Sequence, residues 1–169
     1  KDSMNRIWQC GTIQLDMNLP ERFDLFYIDE NGEKKRPVML HRAIYGSLER
    51  FIGIIIEHFG GAFPTWLAPV QVKLIPVSNE VHMDYVYKLK ELFINEDIRV
   101  EVDNREEKLS YKIRDAQTKK IPYQIVCGDN EVNNGLVTYR KYGSKDQVTV
   151  TIEEFIKMIK TEIDTMGKV

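Results

Sequence analysis

Apolar residues recur in two rhythms along the chain, and the rhythm changes near residues 63–69. Upstream, alternation over residues 8–16 and 37–45 predicts two strands, with residues 24–29 as a third before the turn Asp29-Glu30-Asn31-Gly32. Residues 46–59 then carry Leu48, Phe51, Ile52, Ile55 and Phe59 at the spacing of one helical face. Ile54 and Ile56 lie off that stripe, which predicts a helix buried on more than one side and ended by Gly60-Gly61. Three antiparallel strands and one helix do not close a core, so the upstream part reads as incomplete.

Downstream, strand and helix patterns alternate. Strands are predicted over residues 70–77, 98–102, 123–128, 136–142 and 148–150. Helices are predicted over 80–95 (Tyr85, Val86, Leu89, Leu92 and Phe93 inward) and 107–119 (Leu109, Ile113 and Ala116 inward). A last helix opens with Thr151 and Glu154 at the spacing of a capping box and is apolar at Ile152, Phe155, Ile156, Ile159, Ile163 and Met166. The fold class expected is α/β: a mixed, mostly parallel sheet with flanking helices, preceded by an antiparallel strand–strand–helix remnant. The division is placed at residues 1–65 and 66–169.

Composition narrows the classes. The chain has 169 residues, 43% hydrophobic and 30% charged, ordinary for a globular protein. No apolar run approaches the roughly 18 residues of a membrane span, and the first residues contain no signal-peptide apolar region. A start that is neither Met nor a helix cap is expected of a chain cut from something longer. Cys10 and Cys127 form no CxxC motif, so a reduced, cytoplasmic setting is expected. A net charge of −2 argues against a bulk basic nucleic-acid binder but allows a local basic patch.

Candidate chemistry follows from faces and spacing. On the first strand Ile13 and Leu15 mark a core face, while Cys10, Thr12, Gln14 and Asp16 share the other, either a solvated face or a wall for a polar ligand. Arg50 lies away from the apolar stripe of its helix, near Gly46 and Gly53, placed for a phosphate clamp or a salt bridge. His41 alternates with Met39 and Ala43, and a lone histidine makes no metal set. Residues 99–120 hold seven Lys/Arg against five Asp/Glu, and Arg140, Lys141 and Lys145 form a second basic group. Lys108, Lys112 and Lys119 share a face beside Leu109 and Ile113, with Arg114 and Tyr111 more nearly opposite. Such a helix either binds single-stranded RNA through phosphates and stacking or is a solvated charged face. No Ser–His–Asp ordering, P-loop or GxGxxG is present.

The phrases WQCGTIQLD (8–16), RPVMLHRAIYGSLERFIGIIIEHFGGAFPTWLAPVQV (36–72) and KLSYKIRDAQTKKIPYQIVCGDNEV (108–132) resemble the carboxyl-terminal third of bacterial-type threonyl-tRNA synthetases. The resemblance covers nearly the whole chain. It implies the end of a class II catalytic domain followed by an anticodon-binding domain, in an enzyme that joins threonine to tRNA(Thr) with ATP through threonyl-adenylate. It implies that Arg50, in the position of the motif 3 arginine, holds the ATP γ-phosphate. Cys10, Thr12 and Gln14 would line the threonine and adenylate pocket. His41 would be one of three ligands of the family's zinc, which is bound by one Cys and two His. Arg114, Glu131 and Arg140 would read anticodon bases, and Glu106 stands where relatives often carry Asn. The other zinc ligands and motifs would precede residue 1. The fragment alone is therefore expected to be inactive and to hold neither zinc nor ATP/Mg stably. The expected partners are the tRNA(Thr) anticodon stem-loop, with threonine, ATP and a homodimeric partner for the intact protein, and no membrane. The competing reading is a stand-alone, non-catalytic synthetase-like RNA-binding module.

Overall fold

A computed structural model describes residues 1–2 and 4–167. The chain divides into two compact units, Lys1–Phe59 and Gly60–Val169.

In the first unit, β1 (Thr12–Asp16) leads into a single turn, α1 (Asn18–Arg22), then a short hairpin of β2 (Tyr27–Ile28) and β3 (Lys34–Lys35). β4 (Met39–Ala43) returns antiparallel to β1, and α2 (Leu48–Phe59) follows. Gly46 before α2 has φ +66, and a Cβ there would meet the Gln9 carbonyl oxygen at 3.3 Å, so the turn is open only to glycine. The expected burial of α2 on more than one side is not found, since the helix has no buried residue. The expected core face of β1 is likewise bare, with Ile13 66% and Leu15 61% exposed. The physical reason is that a two-stranded ladder and one helix supply no second layer to cover these side chains.

The second unit is built on a five-stranded sheet in the order β6-β5-β7-β8-β9: β5 (Val72–Pro76), β6 (Val100–Val102), β7 (Tyr123–Cys127), β8 (Leu136–Lys141) and β9 (Val148–Thr151). Helices α3 (Asn79–Asn95), α4 (Leu109–Thr118), α5 (Asp129–Asn134) and α6 (Ile152–Asp164) connect or follow these strands. β5 pairs in parallel with β6 and β7, whereas β7–β8 and β8–β9 are antiparallel. The sheet is thus evenly mixed rather than mostly parallel. Only eight residues separate β7 from β8, fewer than the dozen or so a parallel crossover requires, so α5 ends at Gly135 (φ +65) and the chain doubles back.

One core lies on one sheet face, where Val86, Leu89 and Phe93 of α3 and Phe155 and Ile159 of α6 pack with Val72, Leu74, Tyr123, Ile125 and Val137. These helical positions repeat at i, i+3, i+4 and i+7, the spacing that makes one apolar face. α6 is capped as its sequence predicts: the Glu154 N–H donates to Thr151 Oγ1 at 3.2 Å, and the Thr151 N–H to Glu154 Oε2 at 3.0 Å. A smaller cluster on the other face joins Ile75, Ala116 and Ile121 with Leu109 and Ile113 beneath α4.

The segment before β5 is tied into this unit. Thr65 Oγ1 donates to Glu162 at 2.7 Å, Gln71 Nε2 donates to the Thr65 carbonyl at 2.8 Å, and Lys120 Nζ donates to the Gly60 carbonyl. A chain of residues 60–169 is therefore expected to show one cooperative thermal transition by circular dichroism. A broad, non-cooperative melt of that chain would contradict the closure of its core.

Candidate functional site

The first unit brings part of the predicted pocket face together. The register sets Thr12 opposite Ala43 and Gln14 opposite His41, so Thr12, Gln14, Asp16 and His41 share one face. His41 Nε2 lies 2.8 Å from Asp16 Oδ2, and Gln14, Leu15, Asp16 and His41 line a shallow cleft. Asp16 also accepts the Asn18 and Leu19 N–H groups at the start of α1. These backbone bonds from Leu19 first, and then His41, hold its carboxyl below the ordinary aspartate value. Asp16 thereby emerges as the partner of His41, a role its place on the polar face hinted at only through alternation. Cys10 precedes the strand proper, with Sγ 3.9 Å from the Trp8 carbonyl oxygen. Arg50 is exposed and its guanidinium lies 4.9 Å from the Trp8 ring centre, within cation–π range.

His41 is the one residue here that the family resemblance places on zinc. Among the described residues no three His, Cys, Asp or Glu side chains cluster as a metal set. The residues present do not fit a complete zinc site, which needs three or four ligands.

In the second unit a chain of charges fixes the entry to α4. Asp103, buried after β6, takes two bonds from Arg105 (Nε 2.8 Å, Nη2 2.6 Å), and Arg105 also reaches Asp115 at 2.8 Å. Asp115 pairs in turn with Lys119 at 3.1 Å. From the other side, Asn79 Nδ2 donates to the Asn104 and Arg105 carbonyls and Asn79 Oδ1 accepts Lys112 Nζ at 3.1 Å. Lys112, expected on a phosphate-facing surface, is 3% exposed. It occupies the inward position between Leu109 and Ala116, and its ammonium anchors the loop through Asn79. Glu106 sits exposed in that tethered loop. Arg114 and Lys108 are exposed, and neither side chain has a partner among the described residues.

On β8, Arg140 lies opposite Gln124 of β7 and lines a cleft with Gln117, Tyr142, Gly143, Ser144 and Lys145. Arg114 and Gln117 stand three residues apart on α4, hence on neighbouring positions of one helix face. Glu131 is put to internal use. Oε2 accepts the Gly128 N–H at 2.9 Å and Oε1 accepts Thr138 Oγ1 at 2.7 Å, which caps α5 and fastens it to β8. A six-residue helix carries too little periodicity to be read from sequence, so neither α5 nor this capping role was predicted.

Carboxylates of the unit, Glu162, Glu131 and Asp103 among them, ionise more readily than free ones. Burial alone would raise Glu162, but hydrogen bonds from Tyr123, Thr65 and Lys141 outweigh it and hold the group below its ordinary value. Burial of Glu131 is likewise outweighed by Thr138 and the Gly128 N–H, while Asp103 is lowered first by Arg105. Lowered folded-state values mean stability that is present above the unfolded values and lost as pH falls through the folded ones. The melting temperature of the chain is expected to drop as pH is taken below the ordinary glutamate value of 4.5, and less steeply in Glu162→Gln. Parallel pH profiles for the two proteins would contradict the assignment to Glu162.

Comparisons with known proteins bear on both units. The family described as "Anticodon binding domain" matches residues 71–162, and "tRNA synthetase class II core domain (G, H, P, S and T)" matches residues 1–59. The threonine–tRNA ligase of Caldanaerobacter subterraneus subsp. tengcongensis is 57% identical over 165 residues, 98% of this chain and 26% of the relative. That of Clostridium botulinum strain Loch Maree is 57% identical over 163 residues, 96% of this chain and 26% of the relative. The chain thus spans about a quarter of the length of these curated relatives. Among solved structures, the RNA-binding domain of threonyl-tRNA synthetase from Cryptosporidium parvum Iowa II superposes with a TM-score of 0.81 at 36% identity, covering 95% of this chain and 40% of that one. The five-stranded unit with its exposed arginines therefore belongs to the anticodon-binding domain family, in a chain whose homologues are threonine–tRNA ligases.

Proposed function

We propose that the second unit recognises the anticodon of a threonine tRNA, with Arg114, Glu131 and Arg140 as the anticodon-binding residues. The supporting observation is the contrast among the charges on and beside α4. Arg105, Asp115 and Lys119 are locked in pairs and Lys112 is buried, while Arg114 and Lys108 are left without side-chain partners among the described residues. A guanidinium that need break no ion pair can meet an RNA base or phosphate without that loss. Arg140 lines a cleft with Lys145 and Tyr142, a cation and an aromatic ring suited to backbone and base.

The first unit supports a wider proposal: the whole protein attaches threonine to tRNA with ATP, in a cytoplasmic setting consistent with the free Cys10 and Cys127. Arg50 would hold the γ-phosphate, and Cys10, Thr12 and Gln14 would line the threonine and adenylate pocket, with His41 as a zinc ligand completed by residues outside this chain. The bare apolar side chains of the unit favour this over a self-sufficient module. Ile13, Leu15, Leu40 and Ile52 are each at least 47% exposed, an arrangement that calls for further polypeptide against them.

The test is a titration of the wild-type chain, Arg114→Ala and Lys108→Ala against RNA hairpins with the threonine anticodon or a substituted one. Arg114→Ala is expected to cost about 1–3 kcal/mol on the cognate hairpin, by analogy with bidentate base contacts, and little on the substituted one. Lys108→Ala is expected to weaken both equally and to reduce the salt slope by about one unit. Equal losses on both hairpins for Arg114→Ala would make it a phosphate contact and overturn its base-reading role.

A further inference from the structure

We infer that Gln124 is a positioning residue for Arg140, holding its guanidinium in the orientation that meets an RNA base. The inference rests on the proposed role of Arg140 and assigns a new part to a residue inside the sheet.

Gln124 is 1% exposed in β7, and its Nε2 donates to the Ile121 carbonyl at 3.2 Å. That bond fixes which end of the amide is which, because a flipped amide would set two acceptor oxygens against each other. Oε1 is thereby left buried without a hydrogen-bond partner. Directly across the antiparallel ladder, Arg140 has the complementary defect: its Nε–H is buried and unpartnered. Buried polar atoms in proteins are nearly always paired, and each unpaired one is costly. Side chains directly opposite in an antiparallel pair have Cβ atoms about 4.5–5.5 Å apart, within reach of one bond between two such long groups.

A lone acceptor and a lone donor, on residues directly opposite in the ladder and both shut off from water, make an incomplete pair. In the free protein Arg140 lines the cleft with Gln117, Tyr142 and Ser144 while its Nε–H stays unmade. When a base takes the terminal nitrogens of Arg140, a small rotation brings Nε–H onto Gln124 Oε1. The guanidinium is then gripped at its base end and presents its outer edge in a fixed plane. A planar fork reads a base edge only in a defined orientation, so the grip sharpens discrimination more than it adds general affinity.

The experiment is a double-mutant cycle on the 169-residue chain with Gln124→Met and Arg140→Ala, titrated against hairpins carrying the threonine anticodon or a substituted one. Gln124→Met is expected to lower cognate affinity roughly five- to tenfold, the size of one hydrogen bond to a charged group, and to leave the substituted hairpin unaffected. In the Arg140→Ala background it is expected to do nothing further. The Nε–H signal of Arg140 in the wild type gives a readout that needs no core substitution: it should shift downfield on adding the cognate hairpin, as the proton of a newly made hydrogen bond does. No effect of Gln124→Met with Arg140→Ala still costly, or an equal effect in both backgrounds, would overturn the positioning role alone. Loss of no discrimination in Arg140→Ala would overturn the Arg140 reading and this inference with it. An Arg140 Nε–H signal that does not shift downfield in the complex would also overturn it.

Discussion

Replacing Phe155 by alanine is expected to lower the unfolding free energy of the second unit by about 3–5 kcal/mol, as large-to-small changes of buried aromatics do. Phe155 is fully buried, and its ring centre lies 5.2 Å from that of Tyr139, 5.5 Å from Phe93 and 5.6 Å from Tyr123. The neighbours are poorly placed to collapse into the space. Tyr123 OH is bound by Glu162, and Tyr139 OH donates to Met158 Sδ at 3.2 Å. The cavity would therefore persist, and the cost should sit at the upper end for such a change. Urea titration measures it, with an unchanged m-value showing that the two proteins unfold alike. A loss within about 0.5 kcal/mol, the size of a surface substitution, would contradict the packing described.

Asp103→Ala should act on both stability and RNA binding. Asp103 is 2% exposed and carries two bonds from Arg105, and its own N–H donates to the Leu74 carbonyl at 2.9 Å. Charge-assisted bonds of this kind contribute about 1.5–3 kcal/mol. Because the Arg105 side chain is 40% exposed and can turn to water, the expected loss is about 2 kcal/mol rather than the sum. Arg105, left with Asp115 alone, would hold the loop that sets the start of α4 less firmly, and with it the position of Arg114. Affinity for RNA hairpins should fall, and Asp103→Asn, which keeps one acceptor, should recover part of both losses. Stability lost with RNA affinity intact would separate the loop from the interface.

The helices with clear stripes were legible because burial and periodicity largely agree there: Val86, Leu89 and Phe93 in α3, and Phe155 and Ile159 in α6, are expected inward residues that are buried, whereas Leu92 and Met166 at the stripe ends are 37% and 55% exposed. α1 and α5, of five and six residues, are too short to show a stripe and were missed. Lys112 misled for a different reason. Leu109, Lys112, Ile113 and Ala116 form one helical face, so position turns Lys112 inward although its charge points to solvent. Asn79, which satisfies its ammonium, is 33 residues away in sequence. The Gln124–Arg140 opposition is invisible for the same reason, since register between β7 and β8 depends on how α5 turns the chain. In the first unit the alternation of β1 was read correctly as alternation, but a pattern cannot say whether a covering layer exists, and Ile13 and Leu15 stand exposed.

The central claim, that the second unit reads an anticodon, is tested most directly by the ratio of affinities of the unaltered chain for two RNA hairpins that differ only in the anticodon bases. Both hairpins carry the same phosphates, so the salt-dependent part of binding cancels and only base reading remains. At physiological salt the threonine anticodon is expected to be preferred by roughly tenfold or more, the equivalent of about 1.4 kcal/mol or one good base contact. Equal affinity for the two hairpins would contradict the claim.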